Sequence, residues 1–161
     1  MHKGDFSEQL LRYLSPKELH LVDPWKYEDS AEYKDAWYGG LADGGQAEMD
    51  ERYRSVCQRF EPEIRAGCVR VHRMFSADAL KGFVDEYFDW IYIDGNHRYE
   101  FVKADLELSW MKIKPGGFLT GDDYINYGWW KGGVKKAVDE FVEERRVRRI
   151  DIRNNQFLLR K

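Results

Sequence analysis

The sequence places acidic residues directly after three short apolar segments and a serine after a fourth. In chain order these residues are Asp23, Ser76, Asp94 and the pair Asp122–Asp123. If the segments are neighbouring parallel strands, their carboxyl ends meet at one edge, where open α/β sheets bind their ligands. We therefore expect these polar groups to line one site.

Two kinds of chemistry suit these groups. A carboxylate after an early strand, such as Asp23, can accept hydrogen bonds from both hydroxyls of a ribose. Asp94, Asp122 and Asp123 could supply hard oxygen ligands to Mg²⁺, Mn²⁺ or Ca²⁺. His97, three residues after Asp94, could ligate a metal or accept a proton near neutral pH.

Each of these groups also has an ordinary structural interpretation. Aspartates after strands commonly form turns, and a loop histidine such as His97 is commonly satisfied by hydrogen bonds. The adjacent Asp122 and Asp123 should point apart, so that at most one of them faces a site. The Trp129–Trp130 pair could wall a substrate pocket, but packing or an interface would suit it equally. The convergence of several acids favours the site, and whether it holds a metal stays open.

A strand–helix–strand unit at the centre of the chain positions the later acids. Val102, Leu106 and Trp110 recur at four-residue spacing, which predicts one apolar helical face. The predicted segments are a strand at 90–93, a helix at 99–111, a Pro-Gly-Gly turn at 114–117 and a strand at 118–120. A crossover of this length makes the two strands parallel neighbours.

The remaining periodicities predict an alternation of helices and strands around that unit. Helices are expected at 5–14, 46–60 and 133–144, with a short one beginning at residue 76; strands are expected at 19–22 and 68–75. A terminal hairpin is predicted from 147–153 and 156–160, because Asn154-Asn155 tolerates the positive φ of a tight turn. Residues 26–45, which contain Trp37 and Tyr38, have no clean period and predict a long loop or lid.

Composition predicts a single domain spanning residues 1–161, with an aromatic content of 16% that favours a packed fold over disorder. The net charge of −3 offers no general attraction to nucleic acid or to an anionic membrane. Cys57 and Cys68 lie outside any CxxC spacing, which suggests two free thiols in a reducing cytosol. No apolar run has membrane-spanning length and no signal-peptide pattern opens the chain, so we expect a cytoplasmic protein.

Several segments together resemble one enzyme family. FDWIYIDGNHRYE (88–100), KPGGFLTGDDY (114–124) and GVKKAVDEF (133–141) resemble the class I S-adenosylmethionine-dependent methyltransferases. The similarity is greatest to the branch with an IDG-x-H-x-Y segment after the fourth strand. LHLVDPW (19–25) resembles the family's second strand with its ribose-binding acid, and the resemblance extends from residue 4 to 161. It implies a Rossmann-like α/β fold, a mostly parallel sheet finished by a C-terminal antiparallel hairpin.

The resemblance also implies cofactor-binding residues. Asp23 would bind the ribose hydroxyls of S-adenosylmethionine, and Trp25 could lie near the cofactor. Ser76 and Ala77, which follow the third strand, would flank the adenine. Asp94 would lie near the methionine end of the cofactor or hold a divalent ion.

The metal and the proton acceptor are implied in the same way. Asp122 and Asp123 match the acidic pair that completes the metal site, with Mg²⁺ or another divalent cation, in catechol-type and some sugar or antibiotic O-methyltransferases. His97 would be the base for a substrate hydroxyl. The protein would mainly position donor and acceptor, while a metal or base lowers the pKa of the acceptor.

The sequence departs from the family pattern at its start. The family's first strand and E-x-G-x-x-x-G turn would precede Gly4, which resembles the last glycine of that turn. We therefore expect a fold truncated at its N-terminus and lacking the first strand. Direct pairing of the two flanking strands, an incomplete gene or a second copy in a homodimer would each account for the gap.

Two functions follow from these observations. The first is S-adenosylmethionine-dependent O-methyl transfer to a small hydroxylated acceptor, assisted by a metal or not. The second is a methyltransferase-like fold without catalysis that serves as a binding or oligomerising module. A nucleotide-binding α/β protein of another class is a weaker alternative, because the sequence has no Gly-rich loop to cradle phosphates.

Overall fold

A computed structural model describes residues 2–161, except for the side chains of residues 148–150. Its helices are α1 (Asp5–Leu14), α2 (Gly45–Arg59), α3 (Glu61–Arg65), α4 (Ser76–Lys81), α5 (Tyr99–Lys112) and α6 (Gly133–Arg145). Its strands are β1 (Leu19–Val22), β2 (Val69–His72), β3 (Phe88–Ile93), β4 (Ile113–Gly121), β5 (Arg148–Arg153) and β6 (Gln156–Arg160). The described chain divides into a first unit that ends at Phe75 and a second unit that begins at Ser76. Within residues 2–161 no helix is both long and apolar enough to span a membrane.

The first unit is built on the parallel pair β1–β2. Leu21 pairs with Val71, so that the two strands end side by side at Val22 and His72. Leu21 is buried together with Met49 of α2, which places the apolar stripe of that helix in the core. The predicted loop at 26–45 contains one short 3₁₀ turn, Ala31–Tyr33, and otherwise consists of turns and irregular backbone.

The second unit contains the predicted strand–helix–strand motif. β3 and β4 are parallel, and Ile93 pairs with Gly121 at their carboxyl ends. Helix α5 buries Val102 and Leu106 against this sheet, together with Val138 and Phe141 of α6.

The Pro-Gly-Gly segment was predicted as a turn, and that prediction is wrong. It lies inside β4, where Phe88 pairs with Ile113 but Trp90 pairs with Phe118, so the extra residues form an irregularity in the strand. Gly116 has a φ of 81°, and its N–H donates to the carbonyl of Lys161 at 2.9 Å. This long-range pairing with the chain end keeps the segment in the sheet.

The C-terminal hairpin is confirmed and extends the second sheet. β6 runs antiparallel to β4 and β5, which makes the strand order β3-β4-β6-β5. Asn154 and Asn155 occupy the turn with φ of 49° and 63°. β1 and β2 form a separate two-stranded sheet. Direct pairing of the strands that end at Asp23 and Asp94 is therefore not found within residues 2–161.

Candidate functional site

The structure brings two acidic turns of the second unit together. Because β3 and β4 are parallel and end in register, the residues after them are neighbours, and the Asp122 N–H donates to the Ile93 carbonyl at 3.1 Å. Asp94, His97 and Asp123 form one group whose potential metal-binding atoms all lie within 4.8 Å of one another. We call these three residues the acidic cluster.

His97 occupies the middle of the acidic cluster. Its Nε2 lies 3.5 Å from Asp94 Oδ1 and 3.2 Å from Asp123 Oδ2. Both ring nitrogens are buried, and neither has a hydrogen-bond partner within residues 2–161. Buried polar atoms are normally hydrogen-bonded, so an imidazole that lies near two carboxylates without a hydrogen bond to either suggests a binding site for a cation or for a donor group.

The two adjacent aspartates have separate surroundings. Asp123 adopts a left-handed conformation with φ of 60°, and its N–H donates to Asp122 Oδ1 at 2.9 Å. Asp122 also faces the Tyr92 hydroxyl, whose pKa is raised by burial and then by the charge of Asp122. Asp123 therefore belongs to the acidic cluster, whereas Asp122 stabilises the turn and contacts Tyr92.

The electrostatics of the acidic cluster disfavour its negative charge. Burial raises the pKa of Asp123, the nearby Asp122 and Asp94 raise it further, and only His97 lowers it. Asp94 is the more accessible partner, with 49% of its side chain exposed against 28% for Asp123. A positive ligand would relieve this repulsion.

Two tryptophans after β4 cover His97. The ring of Trp130 meets the imidazole edge-on at a centroid distance of 4.8 Å, and Trp129 lies 6.0 Å from it. The indole N–H of Trp130 is buried without a partner among the described residues. The pair therefore forms an aromatic boundary beside the acidic cluster, consistent with the predicted pocket wall as well as with packing.

Ser76 and Ala77 lie in the first turn of α4, where Ser76 contacts a buried acid that the sequence analysis missed. The Ser76 hydroxyl donates to Asp105 Oδ1 at 2.6 Å, and Asp105 is only 6% exposed. Burial raises the pKa of Asp105 to about 6, and the Ser76 hydrogen bond only partly opposes that shift. A Cβ added to Gly95 would lie 3.6 Å from Asp105 Oδ2. Asp105 thus lies between the turn at Ser76 and the turn that follows Asp94.

A clue to Asp105 was present in the sequence. It lies three residues after Val102, directly before Leu106 and four residues before Ser109, and all four residues are on the buried face of α5. An acid on such a face departs from the polar-outside pattern of a helix.

Asp23 lies in the first unit, at the carboxyl end of β1, and is 6% exposed. Its Oδ1 accepts the Trp25 backbone N–H at 2.6 Å, and its Oδ2 accepts the Tyr38 hydroxyl at 2.5 Å. Tyr38 in turn accepts the His2 backbone N–H at 3.1 Å. Both carboxylate oxygens are therefore hydrogen-bonded within the chain.

Arg52 anchors the segment that carries Tyr38, and the sequence analysis missed it too. Its guanidinium donates to Glu48 Oε1 at 2.5 Å and to the Trp37 carbonyl at 2.8 Å, and it lies 5.7 Å from the centre of the Tyr38 ring. Only 6% of its side chain is exposed. No periodic signal in the sequence links residues 38 and 52 to Asp23, since the contacts depend on how the loop folds.

The other predicted cofactor residues of the first unit are packed against the core. Trp25 is fully buried, and its ring lies 5.1 Å from that of Tyr53. Gly4 precedes α1 with φ of 88°, and a Cβ there would lie 2.7 Å from the Phe60 ring. Glycine is thus required at this position by both conformation and packing.

Comparison with protein-family models shows a match over most of the chain. A model described as a methyltransferase domain matches residues 2–124. A second match is the uncharacterized protein R132 of Acanthamoeba polyphaga mimivirus, 36% identical over 56 residues. That alignment covers 35% of this chain and 25% of the viral protein.

Solved structures share the fold at low sequence identity. The O-methyltransferase NovP superposes with a TM-score of 0.62 and 18% identity over 96% of this chain, which spans 65% of NovP. The O-methyltransferase from Bacillus cereus, solved in complex with SAH, gives a TM-score of 0.60 and 16% identity, covering 98% of this chain and 79% of that protein. At these identities the superpositions establish the Rossmann-like fold.

Proposed function

Since the chain belongs to the class I S-adenosylmethionine-dependent methyltransferase family, we propose that it binds S-adenosylmethionine and methylates a hydroxyl of a small acceptor. The observation that carries the proposal is the acidic cluster at the carboxyl ends of β3 and β4, where this fold binds its ligands. The O-methyltransferase names of NovP and the Bacillus cereus protein support the choice of oxygen as acceptor.

In this proposal the cofactor-binding roles are those that the family resemblance implies. Asp23 binds the ribose hydroxyls, and Ser76 and Ala77 flank the adenine. Gly4 and Trp25 support the Asp23 turn from the buried side of the first unit, and Asp94 lies near the methionine end. The Ser76–Asp105 hydrogen bond supports this arrangement for the adenine, because a hydroxyl held at 2.6 Å fixes the first turn of α4.

The acidic cluster fits a divalent cation. It combines two carboxylates, an imidazole without a hydrogen-bond partner among the described residues, and an Asp123 whose pKa is raised partly by like charge. Mg²⁺ prefers oxygen ligands, so Asp94 and Asp123 would hold it, while Asp122 is occupied with its own turn. When bound, the cation would lower the pKa of the acceptor hydroxyl.

His97 then serves as the general base. Its Nε2 can accept the proton of the acceptor hydroxyl, and S-adenosylmethionine, when bound, would supply the methyl group to the acceptor oxygen. The products are the methyl ether and S-adenosylhomocysteine. Trp129 and Trp130 exclude water from the imidazole, since their rings lie within about 6 Å of it.

We also propose that the protein works in the reducing cytoplasm as a homodimer. Cys57 and Cys68 are both free, which suits a reducing compartment. β3 stands at the edge of its sheet, and a strand supplied by a second copy could pair with it.

Calorimetric titration with S-adenosylhomocysteine tests the function. We expect a micromolar dissociation constant for the full chain and at least a tenfold weaker one for Asp23→Asn. Absence of binding at millimolar ligand would instead support a non-catalytic module. Equal affinity in Asp23→Asn and wild type would remove Asp23 from the ribose site.

A further inference from the structure

The Tyr38 hydroxyl is hydrogen-bonded to the Asp23 carboxylate, which was expected to bind the ribose hydroxyls of the cofactor. A ribose hydroxyl would approach the carboxylate as an O–H donor, and Tyr38 already presents an O–H to Oδ2 at 2.5 Å. The Trp25 N–H occupies Oδ1 at 2.6 Å. With Asp23 only 6% exposed, a ligand cannot approach this carboxylate while Tyr38 stays in place.

We propose that Tyr38 gates the cofactor site: its hydroxyl takes the position on Asp23 that a ribose hydroxyl would occupy, and cofactor binding displaces it. This inference rests on the proposed function, because it assumes that Asp23 binds the ribose. A phenol and a ribose hydroxyl offer the carboxylate the same neutral O–H donor, so the exchange preserves the hydrogen bond.

The protonation state of the Tyr38 hydroxyl supports this exchange of one hydroxyl donor for another. Burial raises the pKa of Tyr38, and the neighbouring Asp23 charge raises it further. The hydroxyl therefore keeps its proton at physiological pH and acts as the donor to Asp23. It also accepts the His2 N–H, so both of its hydrogen-bonding functions are used in the closed state.

The segment that carries Tyr38 is folded tightly on itself. Residues 34–41 make a compact run of turns in which a Cβ at Gly39 or Gly40 would overlap the carbonyls of Tyr33 and Lys34. Hydrogen bonds to neighbouring segments hold this run in the first unit. They include Glu28 N–H to the Tyr38 carbonyl at 2.7 Å and Arg52 to the Trp37 carbonyl. The Trp37 side chain is 64% exposed, so the run is not anchored by its largest apolar group.

Deleting one hydroxyl tests the gate. If Tyr38 competes with the ribose, Tyr38→Phe should bind S-adenosylhomocysteine about tenfold more tightly than wild type, because the closed state loses its hydrogen bond. Tyr27→Phe is the matched control: it removes a hydroxyl from the same loop, where the Tyr27 ring packs against the core. We expect its affinity to equal that of wild type. Unchanged or weaker binding by Tyr38→Phe overturns the gate.

Amide hydrogen exchange supplies an independent readout. We expect S-adenosylhomocysteine to accelerate exchange of the amides between residues 28 and 41, because displacement of Tyr38 breaks the bonds that hold this run. Slower exchange would mean that the segment clamps the ligand, which contradicts displacement.

The two experiments separate failure of the gate from failure of the proposed function. If Asp23→Asn loses affinity while Tyr38→Phe gains none, Asp23 binds the ligand and the gate is wrong. If wild type fails to bind but Tyr38→Phe binds, the gate is supported, because the Tyr38–Asp23 hydrogen bond then blocks the ligand in wild type. If wild type, Asp23→Asn and Tyr38→Phe all fail at millimolar ligand, the proposed function and the gate fall together.

Discussion

Asp23 and Asp123 both follow strands of parallel pairs, yet their surroundings are opposite. Asp23, in the first unit, is almost fully buried, and both of its oxygens accept hydrogen bonds from the chain. Asp123, in the second unit, lies beside an imidazole that has no hydrogen-bond partner among the described residues, and its pKa is raised by burial and then by two nearby carboxylates. A position directly after a strand therefore does not distinguish a carboxylate with hydrogen-bonded oxygens from one whose ionised form is disfavoured by its surroundings.

This difference indicates that the surroundings of Asp23 contribute mainly to stability, whereas the acidic cluster is suited mainly to ligand binding. A carboxylate whose two oxygens each accept a hydrogen bond from the chain stabilises the fold, and its ligand must compete with those internal donors. A cluster in which burial and like charge oppose ionisation weakens the folded state and is complementary to an incoming cation. Substitutions in the first unit should thus mainly change stability, and those in the acidic cluster should mainly change binding.

The largest effect should come from the arginine of the first unit. Replacing Arg52 by Met removes two hydrogen bonds made by a charged donor, to Glu48 Oε1 and to the Trp37 carbonyl, and we expect the free energy of unfolding to fall by about 3 kcal/mol. The control is Arg54→Met, whose pair with Glu51 is mostly exposed and should change stability by less than about 0.5 kcal/mol. Urea denaturation measures both. Equal effects of the two substitutions would show that the Arg52 network contributes no more than a surface pair.

Asp105 gives the second unit a pH dependence of comparable size. Because its pKa in the fold is raised from 3.8 to about 6, the folded chain binds the extra proton between those values. Stability should therefore fall by about 2 kcal/mol as pH rises from 4 to 7. Asp105→Asn should remove this part of the dependence in thermal denaturation measured across that range. A variant with the same pH profile as wild type would exclude Asp105 as its source.

The adjacent acids after β4 offer a matched pair for metal binding. Asp123→Asn should weaken Mn²⁺ binding about a hundredfold, because it removes a carboxylate of the acidic cluster, whereas Asp122→Asn should change it less than fivefold. Asparagine also tolerates the positive φ of residue 123. Electron paramagnetic resonance of free Mn²⁺ measures both affinities. The reverse order would assign the metal to Asp122.

Without metal, Asp123→Asn should melt at a slightly higher temperature than wild type, since it removes a charge that is disfavoured by burial and then by two nearby carboxylates. A lower melting temperature would show that the Asp123 carboxylate stabilises the fold by itself.

The smallest effect should come from a histidine pair in the first unit. His20 Nδ1 and His72 Nε2 lie 3.0 Å apart on neighbouring strands, and burial lowers the pKa of both. Glu18 beside His20 opposes this shift, and Arg70 favours it. Because the pKa values are depressed, the pair stabilises the chain above pH 6.5 and loses that contribution as pH falls. His72→Asn should flatten the acid side of the stability profile, and an unchanged acid side would contradict the assignment.

The stability of the two units should therefore depend on pH with opposite signs. The histidine pair favours higher pH in the first unit, while Asp105 favours lower pH in the second. Amide exchange measured for each unit at pH 5 and pH 7 should show protection changing in opposite directions.

Local signals predicted much of the fold. The bounds of α1 and β1 followed from the breakers Ser15-Pro16 and Asp23-Pro24, which act on their own neighbours. The Pro-Gly-Gly segment was mispredicted because its conformation depends on Lys161, at the far end of the chain. The position of Asp105 on the buried face of α5 could be predicted from the helical period. The contact between Tyr38 and Arg52 could not, since it depends on an irregular loop that has no period.

The amino-acid sequence alone determined the strand–helix–strand unit and the neighbouring positions of Asp94 and Asp122–Asp123, because a crossover of that length permits one arrangement. Only the tertiary structure decided that Asp123 rather than Asp122 faces His97, since this depends on one left-handed backbone conformation. It also decided that Asp23 is closed by Tyr38, because a hydrogen bond across 15 residues of irregular chain depends on how the loop packs.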